Sequence, residues 1–90
     1  MDTYYVATFH SVSQALRFEK NLKQLSLQIT MMPVPRIISS SCGIAARFAI
    51  NDLAAVQDAV AQGESDVDEV YLFSHDDKKV HAERVLKSEK

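Results

Sequence analysis

The fold is decided by one short stretch, Ile44-Ala45-Ala46-Arg47-Phe48-Ala49-Ile50, in which every second residue is a candidate for a buried face. This period of two predicts a β-strand, because successive side chains of a strand point to opposite faces of a sheet. The inward residues of this strand would be Ile44, Ala46, Phe48 and Ile50. Because this is the clearest strand in the chain, the other elements are placed outward from it.

Upstream of this strand, the chain predicts a strand followed by a helix. Tyr4–Phe9 is short and rich in aromatic and β-branched residues, which favours a strand. Ser11 is followed three residues later by Gln14, the spacing of a capping box, and this predicts a helix over about residues 12–25. The inward face of this helix would contain Ala15, Leu16, Phe18, Leu22 and Leu25.

A second strand is predicted between this helix and residue 44. Residues 28–32 favour an extended conformation, and Pro33 and Pro35 would end the strand because proline has no N–H to donate to a neighbouring strand. Residues 36–43 would then form a loop. This loop is longer than a hairpin requires, which suggests that it has a function.

Downstream of residue 50, the chain predicts a second helix and a last strand. Asn51 or Asp52 can cap the helix, which would end near Gly63, a residue suited to a left-handed conformation. Its inward residues would be Leu53, Val56 and Val60. Glu69–Phe73 supplies the last predicted strand, and the charged residues after it are expected to form no further strand.

The element order predicts an α+β domain, a ferredoxin-like βαββαβ sandwich whose antiparallel sheet carries both helices on one face. The domain would span residues 1–74, and residues 75–90 would be a charged tail that is a frayed helix or disordered. In this arrangement the loop before residue 44 lies at the end of the sheet where the first helix begins. We therefore expect Cys42 to approach His10.

Composition restricts the classes of function. The 90 residues carry a formal net charge of −2, and this balance lacks the cationic excess that nucleic-acid binding requires. No apolar run is long enough to span a bilayer, so we expect a cytoplasmic protein without membrane contact. The single cysteine excludes an internal disulfide.

The chemistry of the chain is expected at Cys42, which stands between three serines and Gly43. Ser39, Ser40 and Ser41 offer hydroxyls and backbone N–H groups to an anion, and Gly43 allows close approach of the backbone. Arg36 and Arg47 add positive charge, and such surroundings lower the pKa of a thiol. The sequence therefore predicts a reactive thiolate, although a lone cysteine is also common as a small buried residue.

The loop also resembles a known family. The run Pro33-Val34-Pro35-Arg36-Ile37-Ile38-Ser39-Ser40-Ser41-Cys42-Gly43, with Ala45-Ala46-Arg47-Phe48 after it and Tyr5-Val6-Ala7-Thr8-Phe9-His10-Ser11 at the start, is similar to a small bacterial family of selenium/sulfur carrier-like proteins. The resemblance covers about residues 4–73. It implies that Cys42 is the cysteine of the family and that the loop residues around it occupy motif positions.

The sequence gives weaker indications of function at its histidines and glycines. His10 could carry a proton to or from Cys42, or it could simply lie on the surface. No histidine has a ligand spacing with Cys42, so we expect no zinc site. Two glycines are too few for a phosphate-binding loop, and no cofactor is expected.

Three functions remain open from the sequence. In the first, Cys42 accepts a sulfur or selenium atom as a persulfide or selenosulfide from a donor enzyme, such as a cysteine desulfurase, and passes it to an acceptor protein. Such a chain would be a carrier rather than a stand-alone enzyme. The alternatives are a protein–protein interaction module with a structural cysteine, and a peroxide-sensing or thiol-transfer protein. A homodimer through sheet edges is also possible.

Overall fold

The computed structural model describes residues 3–38, 43–63, 67–76 and 79–87. In it the alternating stretch forms a strand as predicted up to Ala49. Ile50, which was predicted to point inward, begins a 3₁₀ turn instead and is 49% exposed. Two helices and five strands follow one another along the chain, with one turn of 3₁₀-helix before the second helix. They are β1 (Thr3–Thr8), α1 (Val12–Gln24), β2 (Thr30–Pro33), β3 (Ile44–Ala49), the 3₁₀ turn (Ile50–Asp52), α2 (Leu53–Ala61), β4 (Glu69–Asp76) and β5 (Lys79–Lys87).

The five strands form one antiparallel sheet in the order β2-β3-β1-β4-β5. The first strand of the chain therefore lies in the centre, paired with β3 on one side and with β4 on the other. The α+β class, the antiparallel sheet and the two helices agree with the prediction. The sheet has five strands where four were expected.

One face of the sheet, which we call the helix-covered face, carries the main core. Phe18 and Leu22 of α1 and Val56 of α2 are fully or almost fully buried in the same cluster as Ala46 and Phe48 of β3. Phe18 lies edge-on to Phe9, with ring centroids 5.0 Å apart. The predicted stripe on α1 is therefore correct at Ala15, Phe18 and Leu22, whereas Leu16 and Leu25 are exposed.

The opposite face, the helix-free face, carries a smaller cluster of Val6, Ala45 and Phe73. Ala45 was expected to point away from the packed face, and it does, yet it is completely buried. It is buried because Val34 and Ile38, from the segment after β2, pack against this cluster. The prediction that β3 has a single packed face is therefore wrong.

Both ends of α1 follow from local chemistry. The Ser11 hydroxyl accepts a hydrogen bond from the Gln14 N–H at 3.3 Å, which confirms the predicted cap. At the other end, Ser26 has a φ of 65°. The Ser26 and Leu27 N–H groups donate to the carbonyls of Lys23 and Leu22 at 3.0 and 3.2 Å, a Schellman arrangement that usually places glycine where Ser26 stands.

The segment predicted to be a charged tail, residues 75–90, differs from that expectation over the described residues 79–87. They form β5, which pairs with β4 from Asp76 opposite Lys79 to Glu69 opposite Lys87, with an irregularity between Val70 and Tyr71. In this charged segment, the apolar residues Val80 and Ala82 alternate with polar residues, a short strand pattern that the prediction overlooked. They lie opposite His75 and Phe73 of β4. The last predicted strand was also too short, since β4 extends to Asp76.

Candidate functional site

The loop that precedes β3 is closed by a hydrogen bond between its two arms. The Val34 N–H donates to the Gly43 carbonyl at 3.1 Å, directly beyond the last strand pair, Pro33 opposite Ile44. Gly43 has a φ of 78°, as expected of a residue that must adopt a left-handed conformation. The predicted site residues Ser39, Ser40, Ser41 and Cys42 lie outside the described residues.

The first arm of the loop, which we call the anchor turn, comprises residues 34–38. The Ile38 N–H donates to the Pro35 carbonyl at 3.1 Å, so the arm reverses direction within four residues. Val34 and Ile38 pack on the helix-free face, whereas Arg36 and Ile37, between them, are exposed. The anchor turn therefore fixes the arm on the sheet and presents the Arg36 guanidinium to solvent.

His10 lies at the same end of the sheet as the loop. β1 ends at Thr8, which is paired with Ala45 near the start of β3, so the residues that follow β1 and those that precede β3 are neighbours. The His10 N–H donates to the Gln14 side chain at 3.0 Å, and His10 Nε2 lies 3.3 Å from Asp68 Oδ1. His10 is thus held at its backbone and at its ring.

The position of Asp68 is set by hydrogen bonds that join Thr8, at the end of β1, to the start of β4. The Asp68 N–H donates to the Thr8 carbonyl at 2.7 Å. The fully buried Thr8 hydroxyl accepts from the Glu69 N–H at 3.1 Å and donates to the Glu69 carbonyl at 3.3 Å. The carboxylate that orients His10 is therefore attached to the centre of the sheet rather than to a free loop.

Arg47, the second predicted cation, lies on the helix-free face in other surroundings. Its guanidinium carbon is 4.7 Å from the centroid of the Tyr4 ring, a cation–π distance. Tyr4 stacks on Phe73 with ring centroids 5.6 Å apart, and its hydroxyl is hydrogen-bonded to His75 Nε2 at 3.1 Å. Arg47 is four residues beyond Gly43 on an extended strand, which separates the two backbones by about 13 Å.

A broad open cleft of about 790 Å³ lies beside this group. We call it the Arg47 cleft. Its lining includes Thr3, Tyr4, Thr30, Arg47, Asp52 and His75. It opens near the beginning of β1 and the end of β3, whereas the loop with Cys42 joins the sheet at the start of β3.

On the same face, a third polar group joins β4 to β5. The Tyr71 hydroxyl donates to one oxygen of the Glu69 carboxylate at 2.9 Å, and Arg84 donates to the other oxygen at 3.0 Å. Burial raises the pKa of Tyr71 above its ordinary value of 10.0, and the hydrogen bond and negative charge of Glu69 raise it further. Tyr71 therefore favours its neutral form in the folded chain.

Sequence reasoning missed three of these residues. The sequence assigned no role to Asp68, and it placed His75 in the charged tail. Tyr4 was read only as a strand residue. The signal for His75 was present, because Tyr71, Phe73 and His75 continue one alternation on β4. The partners of Tyr4 and Asp68 depend on the pairing of β1 with β4, which are more than 60 residues apart, and local patterns contain no such information.

Candidate metal sites and membrane-spanning helices are absent from the described part of the chain. Among residues 3–38, 43–63, 67–76 and 79–87, no group of three or more histidine, cysteine, aspartate or glutamate side chains is placed to hold a metal ion. Within the same ranges, neither helix has the length and apolar character needed to cross a bilayer.

Comparison with known proteins identifies a family that the chain matches. Residues 4–72, well over half of the chain, match the family described as "Putative Se/S carrier protein-like". The matched range contains the loop, the anchor turn and all of β1 and β3 except Thr3. No curated protein and no solved structure matches the chain.

Proposed function

Because the chain belongs to the Se/S carrier-like family, a membership that supports a general carrier role, we propose that it carries sulfur or selenium on the thiol of Cys42. The observation that supports this proposal most directly is the match over residues 4–72, which includes the only cysteine of the chain. A carrier with one thiol holds its cargo on that thiol, because no second cysteine is present to form an internal disulfide.

The transfer step is a thiolate attack on a donor persulfide. The Cys42 thiolate attacks the terminal sulfur of the persulfide of a donor enzyme, such as a cysteine desulfurase. A bond forms between the Cys42 sulfur and that terminal sulfur, and the bond between the two donor sulfurs breaks. The electron pair leaves with the thiolate of the donor, so no external oxidant or reductant is needed. An acceptor protein removes the sulfur by the same reaction, and a donor perselenide gives the selenium analogue.

The described residues around the loop support this chemistry through charge and proton transfer. Arg36 is exposed on the anchor turn, and a cation near a thiol or persulfide favours the anionic form. His10, held by Gln14 and Asp68 at the same end of the sheet, is the group that we propose to move the proton. Ser39, Ser40, Ser41 and Gly43 would supply hydroxyls and backbone N–H groups to the terminal atom.

We also propose that the first six elements form a ferredoxin-like unit with β5 added at its edge. The support for this assignment is the chain order β1-α1-β2-β3-α2-β4, the arrangement β2-β3-β1-β4 within the sheet and the contact of both helices with one face. NMR contacts between backbone groups of β1 and β4 test the assignment, which is wrong if these two strands are not neighbours.

The carrier proposal is tested by peptide mass spectrometry of the full-length protein. The protein is incubated with a cysteine desulfurase and free cysteine, alkylated, digested and mapped, and Cys42→Ser is treated in parallel. We expect a mass increase of one sulfur atom on the peptide that contains Cys42 and none on the variant. The proposal is wrong if Cys42 stays unmodified while a control acceptor protein in the same tube gains sulfur.

The role of Arg36 is tested by the pH dependence of the alkylation rate of Cys42. Arg36→Ala is compared with Arg17→Ala, which removes an equal charge from the exposed side of α1. We expect Arg36→Ala to raise the pKa of the thiol and Arg17→Ala to leave it within the error of the measurement. A thiol that reacts slowly at every pH, with no shift in either variant, would instead favour the interaction module with a structural cysteine.

A further inference from the structure

We propose that the Arg47 cleft is a second site, which binds a small molecule through one oxyanion group, a carboxylate or a phosphate, on the Arg47 guanidinium. The cleft volume of about 790 Å³ is in the range of sites that hold small organic ligands. The proposal goes beyond the carrier function and does not depend on it, because its residues are distinct from Cys42 and from the loop.

The Arg47 guanidinium has donors available for such a ligand. A guanidinium carries five N–H donors in one plane and binds carboxylates and phosphates with two parallel hydrogen bonds. In the part of the chain that the structure describes, none of the three ion pairs involves Arg47. The guanidinium instead lies over the face of the Tyr4 ring, and a cation–π contact leaves in-plane donors unused.

The guanidinium is also held in place before a ligand arrives. Tyr4 lies beneath it, and Tyr4 is fixed in turn by stacking on Phe73 and by the hydrogen bond to His75. Phe73 is almost completely buried. A binding group that is already ordered loses less conformational entropy when the ligand binds, and this ordering increases affinity.

The other polar groups of the cleft restrict the ligand. Thr30 is paired with Arg47 across β2 and β3, so its hydroxyl lies on the same face and can donate to the same anion. Asp52, on the 3₁₀ turn, is the carboxylate that also lines the cleft, and it would repel a second negative group. These groups favour a ligand with a single anionic group over a polyanion.

The experiment measures binding of two simple probes, acetate and inorganic phosphate, by ¹H–¹⁵N NMR. The full chain carries Cys42→Ala, so that thiol chemistry cannot contribute, and chloride is used to keep the ionic strength constant. Three proteins are compared: this parent, the parent with Arg47→Ala and the parent with Arg17→Ala. Arg17 is an exposed arginine on α1 that does not line the cleft, and its loss changes the net charge equally.

We expect saturable shifts at the amides of Thr3 and Arg47 with at least one probe. Arg47→Ala should weaken binding by about tenfold or more, as expected for the loss of charged hydrogen bonds, and Arg17→Ala by less than about twofold. Stronger binding of phosphate would identify a phosphate-bearing ligand, and stronger binding of acetate a carboxylate. Absence of saturable shifts with both probes, or equal losses in the two arginine variants, would overturn the proposal.

Discussion

The helix-covered face of the sheet is packed by two amphipathic helices, whereas the helix-free face is packed by the anchor turn and by side chains of the strands themselves. Among the described residues, the first cluster contains twelve buried residues and the second contains three, surrounded by partly buried ones. Each polar contact of Arg47, Tyr71 and His75 described above lies on the second face. The face with less apolar packing is thus the one with room for polar chemistry.

The strongest test of this difference replaces one phenylalanine on each face. Phe18 and Phe73 are both at most 1% exposed. Phe18→Ala should lower the free energy of unfolding by about 3–5 kcal/mol, and Phe73→Ala by at least about 1 kcal/mol less, because partly buried neighbours can move into the space that is left. Urea denaturation followed by circular dichroism measures both values.

If Phe18→Ala is too unstable to fold, Phe18→Leu and Phe73→Leu provide the same comparison with smaller losses. Equal losses on the two faces would show that the helix-free face is packed as firmly as the main core, and the contrast between the faces would then be wrong.

A second test separates the two isoleucines of the anchor turn. Ile38 packs on the helix-free face, whereas its neighbour Ile37 is 51% exposed. Ile38→Ala should lower the free energy of unfolding by about 1–2 kcal/mol, and Ile37→Ala should change it by less than about 0.5 kcal/mol. We also expect the alkylation rate of Cys42 to change only in Ile38→Ala. Unchanged reactivity in both variants would show that the anchor turn does not influence Cys42.

A third test concerns the helix-covered face, at the end of α1. Ser26 has a φ of 65°, which costs a residue with a side chain about 1 kcal/mol relative to glycine. Ser26→Gly should therefore raise the free energy of unfolding by about 1 kcal/mol, measured by thermal and urea denaturation. Ser13→Gly, inside α1, should lower it by about 0.5 kcal/mol. A loss of stability in Ser26→Gly would contradict the assigned backbone conformation.

The smallest effect is expected at Tyr71, and it depends on pH. The pKa of Tyr71 is raised in the folded chain, so the stabilising contribution of its neutral form is complete below pH 10 and is lost as the pH rises through the folded pKa. Tyr71→Phe should reduce the loss of stability between pH 9 and pH 11. Identical alkaline profiles for wild type and Tyr71→Phe would show that the pKa of Tyr71 is not raised by burial and by Glu69 in the folded chain.

The sequence predicted the helix-covered face well because that face depends on local periodicity. Phe18, Leu22 and Val56 were all assigned inward positions from their spacing, and Ser11 from a capping pattern. The helix-free face was predicted poorly because it depends on pairings between distant segments. Ala45 is buried by an irregular turn, and His75 finds Tyr4 only because β1 pairs with β4. The proposal that Cys42 is the functional residue rests on the motif and the family, since a lone cysteine is by itself as compatible with a structural role as with a reactive one.

The central position of β1 has a consequence for the order in which the chain can fold during synthesis. β1 is synthesised before β4, one of its two neighbouring strands, which begins more than 60 residues later at Glu69. The nascent chain therefore keeps one edge of β1 without its native partner until β4 has been made. The sheet cannot close before β4 has left the ribosome, so β1 is expected to reach its native pairing late and together with β4 rather than as soon as it is synthesised.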